Sequence, residues 1–150
     1  MNPDYRDMLS ALSEEGVEFL VVGAYALAAH GLPRATGDID ILIRPTEANA
    51  SRAIEALRRF GAPLRDLSAQ DLCQAGTVYQ IGVAPRRIDL LTAIDGVSFE
   101  EAWLSRISVT IGSLVVPVIG RGALLKNKRA TGRPRDLADV DQLEQGAASD

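Results

Sequence analysis

The 150-residue chain carries 16 basic and 20 acidic residues, a formal net charge of −4, and 47% of it is hydrophobic. That length and apolar content suit one globular domain with a single core, and the acidic balance excludes a broadly cationic, non-specific nucleic-acid binder while allowing a local basic patch. Cys73 is the only cysteine, which excludes a disulfide framework and a thiolate metal cluster and fits a reducing cytoplasm. The opening MNPDYRD is polar and acidic rather than a signal sequence, and the longest apolar run, Phe19 to Ala29, is too short to span a bilayer. A soluble, cytoplasmic protein of residues 1–150 is therefore expected, with a small frayed polar tail after about residue 144.

In chain order, Tyr5, Met8, Leu9 and Leu12 recur at helical spacing, so Asp4 to about Glu15 reads as an amphipathic helix stopped by Gly16. Val17 to Val22 is a β-branched and aromatic strand leading directly into Gly23 and a short Ala-rich helix that ends at Gly31. A helix starting just past a glycine aims free backbone N–H groups at one spot, which suits a phosphate, although Gly23 could simply permit a tight turn. His30, at that helix's end, reads as packing or dipole compensation before it reads as a base.

After a loop with Arg34 comes an apolar strand bearing Asp38 and Asp40. Residues two apart on a strand share a face, roughly 7 Å apart between Cα atoms. Two like charges so placed repel, and a divalent cation would cancel that cost, so the D-I-D is a candidate magnesium site.

Pro45 and Thr46 then open a helix running to Phe60 and closed by Gly61, and Ser68 to Ala75 reads as a short helix with Ser68 and Asp71 as its capping box. Thr77 to Val83 and Arg87 to Leu91 read as paired strands turned by Ala84-Pro85-Arg86. The second strand places Asp89 among Ile88, Leu90 and Leu91, where it is either exposed on a half-solvated face or held by a partner. Phe99 to Leu104 is a short helix anchored in the core by Trp103, and Ile107 to Ile111 and Leu114 to Val118 form a hairpin about Gly112-Ser113.

From Arg121 to Arg135 there are six basic residues and no acidic one, followed by Asp136, Asp139, Asp141 and Glu144. Gly122 to Ala130 is expected to be helical, Thr131-Gly132 a break, and Pro134 the first turn of a final helix. Lys126, Arg129 and Arg133 could form a cationic edge, or the segment could be two solvated helix faces with charges paired across Arg135 and Asp139.

Taken together, Gly23-Ala24 after the first strand, Asp38-Ile39-Asp40-Ile41, and Asp89 in R-R-I-D-L-L resemble the nucleotidyltransferase fold superfamily. Gly23, Ala26, Gly31, Arg34, Thr36, Asp38, Ile39 and Asp40 also reproduce a phrase of the small bacterial members related to AbiEii-type toxins, and LLKNKRATGRPRDLADVDQL looks like that group's C-terminal segment. The resemblance spans about residues 17–143. It implies an α+β fold, a nucleotidyltransferase-like mixed β-sheet flanked by helices, and transfer of a nucleoside monophosphate from an NTP to a hydroxyl of RNA (tRNA included), protein or a small molecule. It implies Mg2+, two ions, with Mn2+ as the alternative, held by Asp38, Asp40 and Asp89 as catalytic and metal-binding residues. Gly23, Ala24 and Tyr25 would offer backbone N–H groups to the phosphates, and Lys126, Arg34 and Arg129 would neutralise phosphate charge. A cognate antitoxin and homo-oligomerisation enter as partners on the same ground. Ala24 departs from the usual Gly or Ser, and no second domain grips the acceptor. Two alternatives therefore stand beside the enzyme: a nucleotide-sensing or partner-binding module that has lost turnover, and a magnesium nuclease using the same aspartates.

Overall fold

The computed structural model describes residues 1–33, 37–83 and 85–148. Helix α1 (Pro3–Glu14) is capped by the Asn2 side chain, which accepts from the Asp4 amide at 2.8 Å, and it buries Tyr5, Met8, Leu9 and Leu12 as its spacing requires. Strand β1 (Phe19–Val22) follows and is buried at every position. Helix α2 (Gly23–Ala29) starts with no residue between it and β1; strand β2 is Ile39–Ile43. Helix α3 (Glu47–Phe60) begins at a Thr46 cap and ends at Gly61, whose φ of 90° is the left-handed closure that favours glycine.

The stretch read as a helix from Ser68 to Ala75 is only a 3-10 turn, Asp71–Cys73. The reciprocal cap is present, Ser68 N–H donating to Asp71 Oδ2 at 2.9 Å and Asp71 N–H to Ser68 Oγ at 3.3 Å, but the backbone is already extended at Gln74, so no further turn is added. Strands β3 (Val78–Ile81) and β4 (Ile88–Leu91), helix α4 (Phe99–Leu104), and strands β5 (Ile107–Ile111) and β6 (Leu114–Val118) come next, then α5 (Arg121–Thr131) and α6 (Pro134–Ala148).

Among the described residues the strands form one sheet in the order β3-β4-β2-β1-β6-β5. The pairs β1–β2, β3–β4 and β5–β6 are antiparallel, whereas β2–β4 and β1–β6 are parallel, so the sheet is mixed. The near-continuous apolar runs of β1 and β2 follow from their central places in the sheet, where nearly every position is buried. Helix α1 packs on α3, α5 on α6, and α2 against β1 and β2. No described helix is long and apolar enough to cross a membrane.

Two side chains outside the apolar core fix the frame. Asn49 is buried, accepts from Glu18 N–H at 2.7 Å, and donates to the Glu18 and Arg44 carbonyls at 3.0 and 2.9 Å, which ties α3 to the ends of β1 and β2. His30 Nε2 lies 2.8 Å from the Ile119 carbonyl oxygen, so its ring closes α2 against the strand end, in line with a packing role. Trp103 packs against the core from its edge: it is half-buried, stacked on Phe99 with ring centroids 5.6 Å apart and capped by Arg106 at 3.8 Å from its ring centroid.

Candidate active site

The register of the sheet builds the site. On β2, Asp40 stands opposite Val22 of β1 on one side and Asp89 of β4 on the other. Because β2 and β4 run parallel and in register, the two carboxylates leave the sheet side by side, at the end of β1 where the chain turns into α2. Asp38 lies just before β2, where the Ile39 N–H bonded to the Arg87 carbonyl at 3.0 Å holds the chain to the start of β4. Asp38, Asp40 and Asp89 line one cleft of about 380 Å³ together with Gly23 and Ala24.

Gly23 is needed there. Its φ is 66°, and a β-carbon at this position would lie 2.3 Å from Asp40 Oδ2, an impossible contact. The turn thus presses the start of α2 directly against the Asp40 carboxylate.

The electrostatics show a crowded acidic cluster. Burial, then the neighbouring Asp89, then Asp38 push the Asp40 pKa up to about 6, with Arg87 pulling the other way. Asp89 is neither exposed nor unpartnered: it is buried and held by a two-pronged bond from Arg87, Nε to Oδ1 at 2.7 Å and an Nη to Oδ2 at 3.1 Å. The same guanidinium stands 3.5 Å from Asp38 Oδ2, and the Arg87 N–H donates to Asp38 Oδ1 at 2.9 Å. Arg87 was not singled out by the sequence reading. Its signal was the spacing: on a strand Arg87 and Asp89 share a face, so a basic residue two before a half-buried acid is placed to clamp it.

The opposite wall comes from the C-terminal helices. Lys128 is buried and lies 3.0 Å from both Asp136 Oδ1 and Asp139 Oδ2. Asp136 also accepts from Thr131 Oγ1 at 2.6 Å and Arg133 Nε at 2.7 Å. Burial raises the Asp136 pKa, but these three donors together outweigh it and bring it down to about 2. Lys128, Arg133, Arg135, Asp136 and Asp139 all line the cleft.

The remaining sequence candidates lie elsewhere. Lys126 pairs with Glu101 at 2.8 Å and Arg129 pairs with Glu144, and neither lines the cleft. Tyr25 packs edge-on against Tyr5, ring centroids 5.9 Å apart, outside the cleft lining. Arg34, Thr36 and Ala84 fall outside the described residues. The choice of Lys128 over Lys126 was legible in helical periodicity: Lys128 is four residues after Leu124 and three after Leu125, on the buried face, whereas Lys126 is not.

Three carboxylates and no soft ligand form a donor set suited to a hard divalent cation, and the burial of charge that chiefly lifts Asp40, with the repulsion from Asp89 and Asp38 added to it, is what such an ion would relieve. As they stand, the side chains do not converge on a ready-made ion site: among the described residues no group of three or more His, Cys, Asp or Glu side chains is arranged to hold a metal. The positive charge between them is Arg87.

In its six-stranded mixed sheet flanked by helices the chain has a nucleotidyltransferase-like fold. Among solved structures, the chain matches a "putative nucleotidyltransferase" from Thermotoga maritima with a TM-score of 0.58 and 16% identity, over 100% of this chain and 96% of that one. No family model matches the chain, and no curated protein matches it significantly.

Proposed function

We propose that the protein is a metal-dependent nucleotidyltransferase that moves a nucleoside monophosphate from an NTP to a hydroxyl acceptor, with release of pyrophosphate. The observation that carries this reading is the in-register pairing of Asp40 with Asp89 beside the Gly23 turn. Asp38, Asp40 and Asp89 would hold Mg2+, which when bound supplies charge to the phosphate oxygens and acidifies the attacking hydroxyl. The cleft lining holds five aspartates against one lysine and three arginines. It therefore has no surplus positive charge with which to grip a triphosphate unaided, which favours a cation-loaded nucleotide as substrate.

The chain's own groups then divide the work. The Gly23 and Ala24 amides at the start of α2 donate to phosphate oxygens, and Lys128, whose charge is taken up by Asp136 and Asp139, holds the wall of the cleft that α5 and α6 supply. Asp89, once free of Arg87, accepts the hydroxyl proton. The motif likeness to AbiEii-type toxins supports RNA or protein as the acceptor, within a toxin–antitoxin pair.

Incubation with labelled NTPs, Mg2+ and bulk RNA or lysate is expected to transfer label, and Asp40→Ala to abolish it. Transfer undiminished in that variant would refute the site. A second reading, a nucleotide-binding module without turnover, is favoured by Ala24 and by the Arg87 clamp on Asp89. Calorimetric NTP binding with no pyrophosphate released would establish it.

A further inference from the structure

Arg87 occupies the place in the acidic cluster where charge compensation is most needed. Asp89 is 6% exposed and stands next to Asp40, so leaving it ionised without a partner there would be costly. The guanidinium meets that need with a two-pronged bond to Asp89 and a longer contact to Asp38. Its backbone is fixed, because the Arg87 carbonyl accepts from Ile39 N–H and its amide donates to Asp38. Its side chain is 30% exposed and borders the open cleft.

We infer that Arg87 is the resident counter-ion of this cluster: a divalent cation must displace it from Asp89, and the phosphate of the incoming nucleotide takes up the released guanidinium, so nucleotide drives metal loading. The inference rests on the reading of Asp38, Asp40 and Asp89 as the metal-holding set. Two positive charges compete for one buried carboxylate, so metal alone binds weakly. A ligand carrying phosphate offers Arg87 a second two-pronged anion, and Lys128 cannot serve instead, since Asp136 and Asp139 both hold it. By linkage, whatever factor the nucleotide adds to metal affinity, the metal returns to nucleotide affinity. Arg87 is on this account a positioning residue that makes metal occupancy conditional on substrate.

The test is a titration of the full chain with Mn2+, read by the spectroscopic signal of the free ion, with and without ATP. Arg87→Met is expected to tighten Mn2+ binding in the absence of nucleotide by roughly tenfold or more and to shrink the enhancement by ATP. Mn2+ alone should then raise the Tm of this variant well beyond the rise in wild type. Arg87→Lys keeps a charge but lacks the fork, and is expected to fall between the two, which leaves the proposal decidable if the methionine variant folds poorly. Unchanged or weaker Mn2+ affinity in both variants, while wild type binds Mn2+ with ATP and Asp40→Asn does not, would overturn the role of Arg87 and leave the transferase reading standing. Absence of Mn2+ binding to wild type with or without ATP would overturn both.

Discussion

Gly23 lies so close to Asp40 that a side chain between them would require the carboxylate to move: the space a β-carbon would fill at Gly23 is 2.3 Å from Asp40 Oδ2. The glycine also holds a φ of 66°, so the residue serves the backbone and the site together. Gly23→Ala is accordingly expected to destabilise the fold by roughly 1–3 kcal/mol and to turn the Asp40 carboxylate out of the cleft. Chemical denaturation would read the first effect and loss of metal-dependent nucleotide binding the second; an alanine variant with wild-type stability and binding would show that the turn is not coupled to the acid.

Asp40 itself burdens the fold. With its pKa raised to about 6, the folded state holds a proton there that the unfolded chain has already released, so stability from this group is greatest below about pH 4 and falls as the pH rises through 6. Asp40→Asn removes the burden. The variant is expected to melt roughly 3–8 °C above wild type at pH 8 in the absence of metal, with the gap closing towards pH 4. Parallel thermal melts across that range check the sign, and a gap that widens on acidification would contradict it.

The buried Lys128 cluster behaves in the opposite direction. Asp136 is held ionised down to about pH 2, so its stabilising effect is present above the unfolded value near 4 and is lost as the pH falls towards 2. Asp136→Asn leaves the buried lysine short of one partner and is expected to cost about 3 kcal/mol at neutral pH. Its acid-unfolding curve should flatten between pH 4 and 2 relative to wild type. Equal acid sensitivity in the two proteins would place the low-pH transition elsewhere.

The sequence yielded the elements well where a periodicity and a stop signal coincided, as in α1 with Gly16 or α3 with Thr46 and Gly61. It failed where a local signal was real but too short to propagate: the Ser68–Asp71 cap exists and yet supports only a single turn. Asp38, Asp40 and Asp89 were legible because acids on apolar strands need a reason to be there. Asp89 illustrates the limit, since both exposure and a partner were open for it, and only the fold shows the partner to be Arg87. The placement of the basic residues of α5 was open in a different way. A count of basic residues between Arg121 and Arg135 treats them alike, but the helix separates Lys128, facing the core, from Lys126, facing Glu101. Asn49 acts through contacts with a residue 31 positions away, which no local pattern displays.

The parallel pairing of β2 with β4 joins residues 49 apart in the chain, as between Arg87 and Asp38, and the far wall of the cleft is added only by the last two helices. Such a join closes a long loop before any contact rewards it, and so it forms slowly and late. A nascent or partly unfolded chain therefore has the acids but not the pocket, which is complete only once the C-terminal helices have docked beside the paired strands.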